Sequence, residues 1–89
     1  MLFEWDPDKR ARNLRKHGID FADTEPVLDD PMAITVMDDE PGEERYVTIG
    51  ADTFGRILVV VHTVQNHRTR VISARHATAR ELRAYQEAP

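Results

Sequence analysis

Nine residues, Arg56 to Val64, read RILVVVHTV, and they constrain this chain more than any other stretch. Successive side chains of a strand point to opposite faces, so a strand with one wet face alternates apolar and polar residues. Here Ile57, Leu58, Val59, Val60 and Val61 follow without a break, and both faces call for cover. Five apolar residues fall far short of the roughly 20 that span a bilayer. The cover must come from the protein itself, which makes this a central strand with structure on each side, at least in part.

A period of two also marks Ala33 to Met37, Arg45 to Ala51 and Arg68 to Ala74, separated from the central strand and one another by DDEPGEE, DTFG and QNH. Connections this short join antiparallel neighbours, so the four form a meander. Phe3 to Trp5 is a short extended start, with a leading strand at Leu2 to Trp5 as its fullest form. Asp6-Pro7 opens a helix, as a capping carboxylate before a residue whose missing N–H costs nothing in the first turn. That helix runs to His17 and stops at Gly18, with Arg15, Lys16 and His17 in the last turn, where positive charge suits the helix dipole. Asp20 caps a second short helix from Phe21, in which Pro26 would remove an interior hydrogen bond if the helix were regular through Leu28. Thr78 and Glu81 make a capping box for a C-terminal helix. The expected fold is α+β: two N-terminal helices, an antiparallel meander of about four strands and a C-terminal helix, in one domain over residues 1–89. The expected core is Phe3, Trp5, Phe21, Leu28, Val47, Ile49, Val59, Val61, Val71 and Leu82, with Trp5 between the first helix and the sheet. A chain of 89 residues has room for one thin core.

The net charge of −4 hides a strong asymmetry. Residues 1–19 hold five Lys/Arg against three Asp/Glu, residues 20–44 none against ten, and residues 45–89 seven against three. An acidic protein is poorly suited to nonspecific nucleic-acid binding, yet cations gathered in one place bind phosphate locally. No cysteine is present, so disulfides, thiolate nucleophiles and thiolate metal sites are excluded. His17, His62, His67 and His76 show no close metal-ligand pairing, and no cofactor or metal is expected. With no long apolar segment and no apolar signal core in MLFEWDPDKR, the chain reads as soluble and cytoplasmic, without a membrane partner.

The stretches FEWDPDKRARNLRKHGIDF, DDP, ERYVTIG, GRILVVVHT and RVISARHATAREL, with Tyr85, resemble the BrnT family of bacterial toxin–antitoxin modules. The markers run through nearly the whole chain: Phe3, Trp5, Asp6, Lys9, Asn13, Lys16-His17-Gly18, Phe21, Asp30-Pro31, Glu44-Arg45, Gly55-Arg56 and Ile72-Ser73-Ala74-Arg75. The chain departs from the family pattern at Val64-Gln65-Asn66, at His76 and at Pro26. The resemblance implies a RelE/ParE-like fold, metal-independent RNA cleavage and growth inhibition. It also implies neutralisation by a BrnA-like antitoxin whose ribbon-helix-helix domain binds DNA, so that DNA is reached only through the antitoxin.

Metal-free RNA cleavage uses the 2′-OH as nucleophile, which leaves the protein to orient the phosphate, stabilise added negative charge and move protons. Arginine suits the second task, because its planar fork binds phosphate oxygens in pairs and stays charged. Arg75, at the end of a strand and just before the C-terminal helix, is the first candidate; the alternative for it is a salt bridge with Glu81. Arg70 is the second, although in a regular strand it faces away from Arg75 unless a bulge or an early end reunites them. Lys16 and His17 offer a cation and an imidazole of suitable pKa, or simply complement the helix dipole. Glu81 is a candidate base, a role that competes with capping. Arg45, Ser73 and Tyr85 complete the set as substrate contacts, with edge solubility the alternative for Arg45 and a packing anchor for Tyr85. His62 reads as a satisfied core histidine. The function expected is an endoribonuclease toxin; the alternative is a noncatalytic module that binds a protein partner or RNA.

Overall fold

A computed structural model describes residues 2–40 and 43–88. The chain forms β1 (Leu2–Trp5), α1 (Pro7–His17), a 3₁₀ turn (Phe21–Asp23), α2 (Glu25–Asp29), β2 (Ile34–Glu40), β3 (Glu43–Ala51), β4 (Ile57–Gln65), β5 (Arg68–His76) and α3 (Ala79–Glu87). The strands make one sheet in the order β1-β5-β4-β3-β2, which places RILVVVHTV at its centre. The meander β2-β3-β4-β5 is antiparallel as expected. The lead strand corrects the all-antiparallel expectation: β1 pairs with β5 in parallel, Leu2 beside Arg68 and Trp5 beside Val71, so the sheet has five strands and is mixed.

Local signals account for most element ends. The Asp6 carboxylate accepts from the Asp8 N–H, and Gly18 closes α1 at φ 71°, a conformation that costs a residue with a Cβ. The second helix is not regular. Asp20 caps only the 3₁₀ turn, and Pro26 sits in the first turn of a separate five-residue helix, where its missing N–H goes unused. Both halves of the capping box at Thr78 and Glu81 are formed. DDEPGEE, expected as a connection, is largely strand: β2 and β3 extend until Glu40 stands opposite Glu43, and Pro41 and Gly42 lie outside the described residues.

The main core lies between the N-terminal helical layer and one face of the sheet. Ile19, Phe21, Val27, Leu58, Val60, Val71 and Ala74 are fully buried there, with Phe3, Trp5 and Leu28 packed against them. Burying such side chains contributes roughly 1.5–3 kcal/mol each. The expected core is corrected at β3 and β4: Val47, Ile49 and Val61 face the other way and are only half-buried, while Leu58 and Val60 face the helices. Val59 also faces away from the helices and is nonetheless buried, and Leu82 is half-buried. Sequence alternation alone does not reveal which parity of a wholly apolar strand meets the larger layer.

Two devices, one polar and one steric, fix the layers. Asn13, buried on α1, donates to the carbonyls of Ile19 (2.9 Å) and Ala74 (2.8 Å) and accepts from the Ala74 N–H (3.1 Å). It serves the β5 edge as a strand would, just past the end of β1. Gly50 lets α2 approach the sheet: a Cβ there would lie 2.8 Å from the Val27 carbonyl oxygen. Among the described residues no helix is long and apolar enough to cross a membrane.

Candidate RNA-contacting face

The strand β5 carries the candidates, and a bulge decides where they point. Val61 of β4 pairs with Ser73 and His62 pairs with Val71, leaving Ile72 as the extra residue. Before the bulge Thr69 and Val71 are buried toward the helices, and after it Ala74 is. Regular alternation would have put Ala74 on the other side. Arg68, Arg70, Ser73 and Arg75 therefore share the face opposite the main core, the reunion that a bulge permits.

The register lays out this face in rows across the sheet. One row runs Asp38, Arg45, Thr63, Arg70 and Glu4; the next Val36, Val47, Val61 and Ser73; the third Ile34, Ile49, Val59 and Arg75. Val36 on the edge strand is 57% exposed. The face thus has an apolar floor with guanidinium groups along the β5 side. Arg45 stands in the charged row, half-buried, and Ser73 is half-buried beside Val61.

Helix α3 stands at the Arg75 end of the face. The Arg75 guanidinium donates to both Glu81 oxygens, Nη1 to Oε1 at 2.7 Å and Nη2 to Oε2 at 2.9 Å, with a further Nη1 contact to the His76 carbonyl at 3.3 Å. These bonds and the capping N–H of Thr78 hold the Glu81 carboxyl at about 2, well below the usual carboxylate range. The same pairing raises the affinity of Arg75 for its proton. The salt bridge named as the alternative for Arg75 is thus present, between groups that remain partly open to solvent. At its other end α3 is tied by Tyr85, whose hydroxyl donates to Asp30 Oδ2 at 2.6 Å. Asp30 also accepts from the N–H groups of Ala51 (2.8 Å) and Met32 (2.9 Å). Burial acts on the Asp30 carboxyl most, pushing it up, but the three bonds together outweigh burial and leave it below its ordinary value. Tyr85 therefore anchors the helix, and none of the α3 residues is fully buried.

Lys16 and His17 close α1, with Lys16 exposed and His17 half-buried. Among the described residues, no hydrogen bond or ion pair joins either of them to Arg70, Ser73, Arg75 or Glu81. The structure thus gathers Arg45, Arg70, Ser73, Arg75 and Glu81 on or beside one face and leaves Lys16 and His17 at the end of another element. Strand alternation already puts Arg68 on one face with Arg70 in the sequence, yet Arg68 was not among the candidate site residues; the structure places it on the same face as Arg70, Ser73 and Arg75.

His62 points the other way, into the core. Its Nε2 meets Thr48 Oγ1 at 3.0 Å, and that hydroxyl meets Thr35 Oγ1 at 2.8 Å, a polar chain across β4, β3 and β2. Tyr46 stacks on the ring at 5.8 Å between centroids. Burial lowers the His62 pKa, and Nδ1 is buried without a hydrogen-bond partner among the described residues, so its satisfaction is half complete. Among the described residues no group of three or more His, Asp or Glu stands close enough to hold a metal ion.

Comparison with known proteins bears on what this face is for. The profile of the family described as the ribonuclease toxin BrnT of type II toxin–antitoxin systems matches residues 5–81. Among solved structures, the 1.1 Å crystal structure of the Brucella abortus ribonuclease toxin BrnT superposes with a TM-score of 0.65 at 30% sequence identity, covering 88% of this chain and 99% of that one. Comparison with curated proteins finds no match. With a family profile spanning most of its length and a solved relative sharing its fold, the chain belongs to the BrnT family of ribonuclease toxins of type II toxin–antitoxin systems.

Proposed function

We propose that this chain is an endoribonuclease that cleaves RNA without a metal ion, using the β5 face, and that a BrnA-like antitoxin with a ribbon-helix-helix domain neutralises it by covering that face. The observation that carries the reading is the Ile72 bulge, which brings Arg70, Ser73 and Arg75 to one side of the sheet, away from the N-terminal helices. In the reaction the 2′-oxygen attacks phosphorus, the bond to the 5′-oxygen breaks, and a 2′,3′-cyclic phosphate and a 5′-hydroxyl result. A base takes the 2′-OH proton, and the leaving oxygen gains one. Arg75 stabilises the charge that gathers on the phosphoryl oxygens in the transition state, where a forked donor is strongest.

The Arg75–Glu81 pair serves this chemistry as a poised couple. While Arg75 binds Glu81 in both positions, the carboxylate is a weak base. A phosphate that draws the guanidinium away frees Glu81, whose pKa then rises toward the ordinary range, and a carboxylate beside the bound phosphate is positioned to accept the 2′-OH proton. Ser73 contacts the substrate from the next row and Arg45 from the row beyond it. Lys16 and His17 enter only if the RNA extends past the end of α1.

The test is cleavage of a defined RNA in EDTA, with analysis of the product ends. The reading expects undiminished cleavage and a 2′,3′-cyclic phosphate or its hydrolysis product, suppressed when the product of the neighbouring gene is added. Activity lost in EDTA and restored by magnesium would overturn it.

A further inference from the structure

The far end of the same face, beyond the Arg75 site, has the composition of a second phosphate subsite. At the β4–β5 hairpin a cleft of about 510 Å³ is lined by Glu4, Thr63, Gln65, Asn66, Arg68 and Arg70. Its cations are two guanidinium groups on one face of β5, both exposed, two residues apart. Around them stand a hydroxyl and two carboxamides, neutral groups that donate hydrogen bonds to phosphate oxygens. Asn66 and His67 hold the hairpin at φ 52° and 63°, the tight two-residue turn that fixes the register of Gln65 against Arg68.

The only ion-pair contacts that Arg68 and Arg70 make among the described residues are to Glu4, at 3.9 Å from Arg68 Nη1 and 3.8 Å from Arg70 Nε. Both are longer than hydrogen bonds. The contrast with Arg75, which is locked at 2.7 and 2.9 Å, is the point: the hairpin arginines keep their donors available, and a phosphate improves on what Glu4 gives them. Along β4, Thr63 opposite Arg70 lies four residues from Val59 opposite Arg75, about 13 Å at strand spacing. A chain running over the face from Arg75 therefore meets the hairpin further along its own backbone, not at the scissile phosphate. The cleft has no apolar pocket for an anchoring side chain, which favours a phosphate backbone over a protein segment as its occupant.

We infer that Arg68 and Arg70, with Thr63, Gln65 and Asn66, form an anchoring subsite for an RNA phosphate distant from the cleaved bond, with Glu4 holding the two guanidinium groups in place until RNA displaces it. The inference rests on the RNA-cleaving reading above. Arg68 is a positioning residue here and does not touch the reacting atoms.

The test uses the full chain, Arg68→Ala and Glu4→Gln, and measures anisotropy of a labelled, fully 2′-O-methylated RNA across a salt series beside cleavage of an unmodified RNA of the same sequence. The subsite predicts that Arg68→Ala weakens binding about three- to tenfold and lowers the slope of log K against log salt by roughly 0.7, the single-strand value for one phosphate contact. It predicts raised KM with unchanged kcat, no effect on a dinucleotide substrate, and tighter binding by Glu4→Gln. Melting of both variants at the parental temperature confirms that neither acts through folding. A parent that binds and cleaves RNA while Arg68→Ala keeps the parental affinity and salt slope would overturn the subsite and leave the enzyme reading intact. Arg68→Ala that loses only the neighbouring gene product's affinity would also overturn it, in favour of a protein contact. A parent with no affinity for RNA would overturn both.

Discussion

At the scale of single residues, Asn13 carries more structure than its place in the sequence suggests. Its amide gives two hydrogen bonds and takes one, and together these satisfy both backbone groups of Ala74 and the carbonyl of Ile19. Removing it leaves buried polar groups without partners, each costing about 1–3 kcal/mol. Asn13→Ala is therefore expected to lose about 2–4 kcal/mol in urea unfolding, whereas neighbouring exposed Arg12→Ala stays near the parent; equal stability of Asn13→Ala and the parent would remove the edge-capping role. Asn13 stood among the family markers, but nothing in the sequence told what it bonds, because its partners lie six and 61 residues away. Local signals were legible by contrast: Asp6, Gly18 and the Thr78–Glu81 box each act within one helical turn.

At the scale of elements, two features decide the site. The β5 bulge was recognisable only as a condition under which Arg70 and Arg75 come to one face, since one extra residue in a ladder leaves no mark in composition. The parallel pairing of β1 was hidden too, for a four-residue strand carries no sign of which edge it joins. The docking of α3 depends on polar bonds at both ends. Glu81 titrates at about 2 in the folded chain against an ordinary 4.5, so its bond to Arg75 stabilises the fold above pH 4.5 and is lost as pH falls toward 2. Asp20 is also lowered, chiefly by its hydrogen bond to Arg10, and Asp30 is lowered as well, so the parent should lose stability over this acid range through several groups. Glu81→Gln keeps a capping side chain but has no charge to lose. Its melting temperature is expected to lie below the parent's at pH 6 and to fall less steeply between pH 4.5 and 2; parallel declines would show that the pair adds nothing to the acid dependence.

For the molecule as a whole, the net charge of −4 conceals a local gathering of cations along β5. Asp20, Asp23, Glu25, Asp29 and Asp30 belong to the N-terminal helical side, while Arg68, Arg70 and Arg75 stand across the sheet from it. The helical side also carries the five cations of α1, Lys9, Arg10, Arg12, Arg15 and Lys16, so the contrast is local: the β5 side of the far face gathers three guanidinium groups, which attract a polyanion there. The central claim is that Arg75 on that side acts on the phosphate in the transition state and is more than the partner of Glu81. The most direct measurement is the rate of cleavage of a defined RNA by Arg75→Ala and Arg75→Lys, taken beside their melting temperatures. The account predicts a loss of roughly a hundredfold or more for Arg75→Ala, about 2–4 kcal/mol of transition-state stabilisation, with a substantial loss for Arg75→Lys, which keeps the charge without the fork. The accompanying stability loss should stay within about 1 kcal/mol, as for a solvent-exposed ion pair. An Arg75→Ala protein that melts like the parent and cleaves at the parental rate would contradict it.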